Sequence, residues 1–142
     1  VSVSEVSIVN EALTLIGAER IISLSDDGKS ARLMNEAFDK ARDELLESHP
    51  WRFAVKRVAL AKLVDTPAYQ YSSYFQIPAD CLRVLETDPE TAEWEREGQL
   101  IAANEDALNV KYIARITQPG LFSAKFAETL AAKLASIARI FL

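Results

Sequence analysis

Metal-ligating and thiol side chains are scarce in this 142-residue chain, which carries a single histidine and a single cysteine, whereas Asp and Glu are abundant at 21 together and leave a carboxylate pair open. His49 and Cys81 alone do not make a His/Cys metal cage, which needs four such ligands. His49 stands before Pro50 at the expected end of a helix, where a capping role is expected; a protonated imidazole there would complement the helix dipole. Cys81, within Ala79-Asp80-Cys81-Leu82, reads as a small core residue. With no second cysteine it forms no internal disulfide, which fits a reducing compartment. Gly28-Lys29-Ser30 resembles the tail of a phosphate-binding loop. The full motif places a glycine five positions earlier, where this chain has Ser23, so the tripeptide reads as a turn leading into a helix cap. Glu93, Glu95 and Glu97 alternate along one strand face. A glycosidase pair would hold two carboxyl groups roughly 5–9.5 Å apart; three like charges in a row read instead as solvent-exposed or lumen-facing. These residues predict no catalytic group, no cofactor and no metal.

Aromatic residues cluster in the middle of the chain: Tyr69, Tyr71, Tyr74, Phe75 and Trp94. Joined by Arg57 or Arg83, they have the composition to stack on bases. The reading taken here is core packing plus an interface patch, because Trp, Tyr and Arg are the types enriched at interface hot spots. The candidate interface residues are Trp51, Tyr71, Tyr74 and Trp94, with Arg139, Phe141 and Leu142 at the carboxyl end. The formal net charge of −5 opposes tight binding to nucleic acid, which requires cations to displace counterions. A surface that DNA merely slides past is compatible with it. No apolar run reaches the length of a membrane span, and no signal peptide is visible. Val1 is not a normal start, so a few residues are expected to be missing before it.

The elements that must position these residues change character at His49-Pro50-Trp51-Arg52-Phe53-Ala54. Before the proline, apolar residues recur at helical spacing; after it the rhythm is strand-like. A first helix is expected over residues 4–16, with Ser2 or Ser4 as its cap and Glu5 reaching back to Ser2. Its buried stripe is Val6, Val9, Leu13 and Ile16, and Gly17 suits a left-handed closing position. A connector over 18–29 is expected to be tacked to the core by Ile21, Ile22 and Leu24, with a turn at Asp26-Asp27-Gly28. A second helix over 30–48 places Met34, Phe38, Ala41 and Leu45 on one face. Glu36, Lys40, Asp39 and Arg42 form its solvated face, with Glu36 and Lys40 at the i, i+4 spacing.

Strands are expected over 55–61, 71–77, 82–86, 93–97, 100–102 and 109–116, with a tight hairpin at Glu97-Gly98-Gln99. In the last strand Val110, Tyr112, Ala114 and Ile116 face one way and Lys111, Ile113 and Arg115 the other. After Pro119-Gly120 an alanine-rich helix carries Phe122, Phe126, Leu130, Leu134, Ile137 and Phe141 as its stripe. The apolar end, Ile140-Phe141-Leu142, is expected either to dock into a partner or to continue in the natural chain. The fold expected is α+β, mainly α: an antiparallel-type bundle of three long helices with a β-rich insertion between the second and last. It is expected as one domain, with residues 1–50 and 118–142 forming the bundle and 51–117 the insertion.

Several segments together resemble the tail tubular protein A type of head-to-tail adaptor from short-tailed bacteriophages and related prophages. They are Asn10-Glu11-Ala12-Leu13-Thr14-Leu15-Ile16-Gly17, then Ala41-Arg42-Asp43-Glu44-Leu45-Leu46 running into His49-Pro50-Trp51, then Ile77-Pro78-Ala79-Asp80-Cys81-Leu82-Arg83-Val84-Leu85. Glu97-Gly98, Ala107-Leu108-Asn109-Val110-Lys111-Tyr112-Ile113-Ala114-Arg115 and residues 126–135 follow in the expected order. The resemblance implies a virion structural protein made in the bacterial host cytoplasm and placed at the head–tail junction. It implies a homo-oligomeric ring, usually of twelve copies, with the portal protein on one side and a distal tail or nozzle protein on the other. Double-stranded DNA would pass through without specific binding, and no membrane is involved. In that family the chain often runs on past the last helix, and its final segment reaches the portal. Two other functions remain open: a virion-associated peptidoglycan hydrolase, and a small helical regulator or nucleic-acid-binding module.

Overall fold

A computed structural model describes residues 3–142. Local capping rules account for where its helices begin and end. Ser4 caps α1 (Glu5–Leu15): its side chain accepts from the Ser7 amide at 3.0 Å, and the Ser7 hydroxyl accepts from the Ser4 amide at 2.9 Å. The partner is thus Ser7 rather than Glu5, and Ser2 lies outside the described residues. Gly17 closes α1 at φ +74°, with Ala18 N–H donating to the Leu13 carbonyl and Gly17 N–H to that of Thr14. This pair of bonds is the Schellman arrangement, which favours a residue without Cβ at the left-handed position. α2 (Lys29–Ser48) begins with Gly28 at its N-cap, without a side-chain cap bond. α3 (Ala124–Phe141) follows a short 3-10 turn, Pro119–Leu121, and is capped by Ser123, whose hydroxyl accepts from the Phe126 amide at 3.2 Å.

The chain divides into two compact units, one made of Val1–Phe53 with Ile116–Leu142, the other of Ala54–Arg115. In the helical unit α3 packs against both α1 and α2. Its buried face is Phe126, Ala127, Leu130, Ala131, Leu134, Ala135 and Ala138. The alanines between the large residues permit close helix approach, and each fully buried Phe or Leu contributes on the order of 1.5–3 kcal/mol. Phe141 falls on the same stripe by helical periodicity but is 57% exposed.

The β unit holds seven strands: β1 (Val55–Ala59), β2 (Ala61–Lys62), β3 (Ser73–Gln76), β4 (Cys81–Asp88), β5 (Trp94–Glu97), β6 (Leu100–Ala103) and β7 (Asn109–Ala114). They form two antiparallel sheets, ordered β1-β7-β4 and β2-β3-β6-β5. The expected strand over 55–61 is broken at Leu60, where the chain passes from one sheet to the other; the Leu60 amide donates to the Leu108 carbonyl at 2.9 Å. β5 and β6 are joined through Gly98 and Gln99, with Gly98 at φ +64°, the sign that a two-residue hairpin turn requires at its first position.

This arrangement corrects the expected fold. Among the described residues there are three α-helices and seven strands in a helix–strand–helix order, not a bundle of three long helices. α1 is 11 residues long against 20 for α2 and 18 for α3, because the Gly17 closure stops it after three turns. Details shift as well. The buried side of α1 is Ile8, Val9, Ala12 and Leu13, with Val6 and Ile16 only half-buried. The connector is held by Asn10, whose side-chain amide donates to the Ile21 carbonyl at 2.9 Å and accepts from the Ile21 amide at 2.8 Å. Ile22, expected to tack it down, is 90% exposed.

Candidate interaction surfaces

The break after α2 is built around Trp51. A helix leaves its last four carbonyls without internal donors. The Trp51 indole N–H donates to the Leu45 carbonyl at 2.9 Å, and the Ser48 hydroxyl donates to the same oxygen at 2.7 Å. The Trp51 ring meets the edge of Phe126 at 5.0 Å and that of His49 at 4.9 Å; Phe53 and Phe122 complete the cluster around Phe126. Edge-to-face pairs of this kind contribute about 0.5–1.5 kcal/mol each beyond area burial. Trp51 and His49 therefore close a helix and seal an aromatic seam inside the helical unit.

A second convergence lies in the β unit around Asp80. One carboxylate oxygen accepts from Lys56 Nζ at 3.0 Å and the other from the Tyr112 hydroxyl at 3.1 Å. Burial, the bond to Asp80 and its negative charge push the Tyr112 hydroxyl up to about 12. Cys81 beside it is buried, and desolvation raises its thiol, with Arg96 pulling the other way. A thiol held protonated is a poor nucleophile. The Arg96 guanidinium donates to the carbonyls of Leu82 (3.1 Å), Cys81 (3.4 Å) and Gly98 (3.0 Å), tying β5 to β4 across the two sheets. Sequence reasoning missed both links. Their partners are 32 and 14 residues apart, and nothing local announces them.

Alternation along β5 separates two roles. Trp94 and Arg96 share a face with Ser73, Phe75, Ile101 and Ala103, all four of them buried. Trp94 is half-buried there, directly opposite Ala103. Glu95 and Glu97 point the other way, beside Tyr74, whose hydroxyl donates to Glu97 at 3.2 Å. Partial desolvation and then Glu95, Glu93 and Glu97 raise the Tyr71 hydroxyl, and desolvation with Glu97 raises that of Tyr74. Tyr71, Tyr74 and the three glutamates therefore form one outward acidic face. Arg57 and Arg83 lie in the other sheet, on β1 and β4, and Phe75 is fully buried, so the base-stacking set is not assembled.

Exposed apolar side chains stand free of these networks in both units; besides the scattered Leu15, Ile22 and Leu121 of the helical unit, two groups stand out. In the β unit, the loop between β2 and β3 presents Val64 at 99% and Tyr69 at 81% exposure. Tyr71 N–H donates to the Tyr69 carbonyl at 2.9 Å around Gln70, whose φ of +77° makes a strained γ-turn. In the helical unit, Ile140, Phe141 and Leu142 are exposed, with Arg139 beside them. The second helix also departs from expectation. Arg42 is only 5% exposed, held by Asp39 and Asp43 at 3.0 Å each, while Lys40 and Lys133 both reach Glu44. Among the described residues no group of three or more His, Cys, Asp or Glu is placed to hold a metal ion, and no helix is long and apolar enough to cross a membrane.

Neither the known protein-family models nor the curated proteins contain a match to this chain.

Proposed function

We propose that this chain is a bacteriophage or prophage virion structural protein, a head-to-tail adaptor that assembles as a ring between portal and tail and lengthens the DNA channel. One observation carries the reading: each compact unit exposes its own apolar outcrop, Val64 with Tyr69 in one and Ile140 with Phe141 in the other. Two unlike sticky surfaces on one chain are what a heterologous, head-to-tail contact needs, and such contacts close into rings. The buried ionisable side chains are also committed to holding structure: Arg42 to α2, Tyr112 to Asp80. The net charge of −5, repeated around a ring, favours a lumen to which DNA does not adhere. It also opposes ring closure before a template is present.

The test is to mix the protein with purified portal protein from the same phage or prophage and image the product. A ring of added density on the portal is expected, with the protein alone sedimenting as a monomer at low micromolar concentration and ordinary salt. Closed rings of the free protein at low micromolar concentration and ordinary salt would overturn the reading, as would failure to join the portal. Sustained clearing of a peptidoglycan suspension, abolished by a single Glu-to-Gln substitution, would replace it with a hydrolase.

A further inference from the structure

Positive charge is unevenly placed in this acidic chain. α1 carries Glu5 and Glu11 and no cation. α2 carries four cations, Lys29, Arg32, Lys40 and Arg42, against five carboxylates. α3 is the exception, with Lys125, Lys133 and Arg139 against the single Glu128. Its exposed side, opposite the buried stripe, is Lys125, Glu128, Ala132, Ser136, Arg139 and Ile140. Lys125 and Arg139 stand about 21 Å apart along the axis, at 1.5 Å per residue. Between them Ala132 and Ser136 keep the surface low. The outward face of β5 has the opposite character. Glu93, Glu95 and Glu97 are exposed, and the one cation of that strand, Arg96, is turned to the other face and occupied by backbone carbonyls.

We infer that the outward β3–β6–β5 face of one copy docks on the exposed side of α3 of the next copy. The match is one of charge and relief. Three carboxylates spread over about 13 Å of strand, at ~3.3 Å per residue, face a longer strip, about 21 Å, whose two end cations outnumber its one acid, Glu128. The low centre of that strip admits the Tyr71 and Tyr74 rings, and aromatic residues over a shallow surface are common interface anchors. Opposite charge on two different faces fixes polarity: like faces repel, so copies add head to tail. The contact is heterologous, as a ring requires. The inference rests on the adaptor reading for its biological role, but the docking itself is a property of the chain.

Charge reversal tests it. One variant carries Glu93→Lys, Glu95→Lys and Glu97→Lys; the other carries Lys125→Glu and Arg139→Glu. All five side chains are exposed, so both variants should match the wild type in circular dichroism, and only the glutamate variant, which loses the exposed Tyr74–Glu97 bond, should show a small drop in thermal midpoint. At high protein concentration and low salt the wild type should show concentration-dependent association in sedimentation, weakened as salt is added. Each variant alone should associate at least about tenfold more weakly, because both its faces then bear one sign. An equimolar mixture should recover association, since each variant's two faces complement those of the other. Variants that associate like the wild type, or a mixture that stays monomeric, would sink the inference. Imaging with portal separates the two claims. If both variants form wild-type rings on it, the adaptor reading stands and this contact is wrong. If the wild type forms none, the adaptor reading falls whatever the mixture does.

Discussion

The helical unit and the β unit are held together by different chemistry. Around Phe126 the helical unit gathers aromatic edges and faces, Trp51, Phe53 and Phe122, with one indole bond to a helix end. Around Asp80 the β unit gathers an ammonium group and a phenol, and nearby Arg96 grips three carbonyls. Non-directional burial tolerates imperfect geometry and ignores pH in the working range. A half-buried polar hub is directional, and the buried member, Tyr112, is costly to leave without its partner. The difference teaches where each unit is vulnerable: the helical unit to lost volume, the β unit to a lost partner or proton.

The largest effect is expected from Phe126→Ala. It removes a fully buried ring with three aromatic neighbours and should cost about 4 kcal/mol in urea unfolding, with the loss centred on the helices. A cost below about 1 kcal/mol would mean the seam collapses to fill the gap. Next comes Asp80→Ala, which strands the buried Tyr112 hydroxyl and should cost about 2 kcal/mol. Its companion in pH follows from Tyr112, whose folded pKa of about 12 lies above the ordinary value of 10.0. A raised value means stability fully present below about pH 10 and lost as pH climbs through 12. A urea series across that window should show the decline, and Tyr112→Phe should flatten that component of it.

Smaller effects sharpen the same contrast. Trp51→Phe keeps a ring in the seam but deletes the indole donor, leaving Ser48 to serve the Leu45 carbonyl; about 1 kcal/mol is expected. Lys56→Met should cost the least, about 0.5 kcal/mol, since Lys56 is half exposed and its pair with Asp80 is screened. If Lys56→Met matched Asp80→Ala, the ion pair rather than the phenol would be the centre of the hub. Double-mutant cycles between Lys56, Asp80 and Tyr112 would apportion the network.

Legibility followed sequence distance. The left-handed closure at Gly17, the hairpin at Gly98 and the alternation that turns Glu95 and Glu97 away from Trp94 depend on neighbours within a few positions, and each can be read from residue type. Asn10 was also readable in principle: an amide of middling helix propensity inside a short helix often has work for its side chain, here the grip on Ile21. Arg42 could not be read. Its i, i+3 partner Asp39 is equally compatible with a solvated face, and only the packed helix shows the guanidinium buried.

By itself, then, the amino-acid order determined the period of each segment, most caps and turns, and the acidic net charge. Only the tertiary structure decided that β1 and β2 belong to different sheets, that β7 lies between β1 and β4, that Arg96 bridges the two sheets, and that Ile22 stands out in solvent. The physical reason is the range of the forces involved. Caps, turns and amphipathic stripes are settled by atoms a few bonds apart. Strand partners and buried polar pairs are chosen by which distant surfaces exclude the most water while leaving no donor or acceptor unmatched.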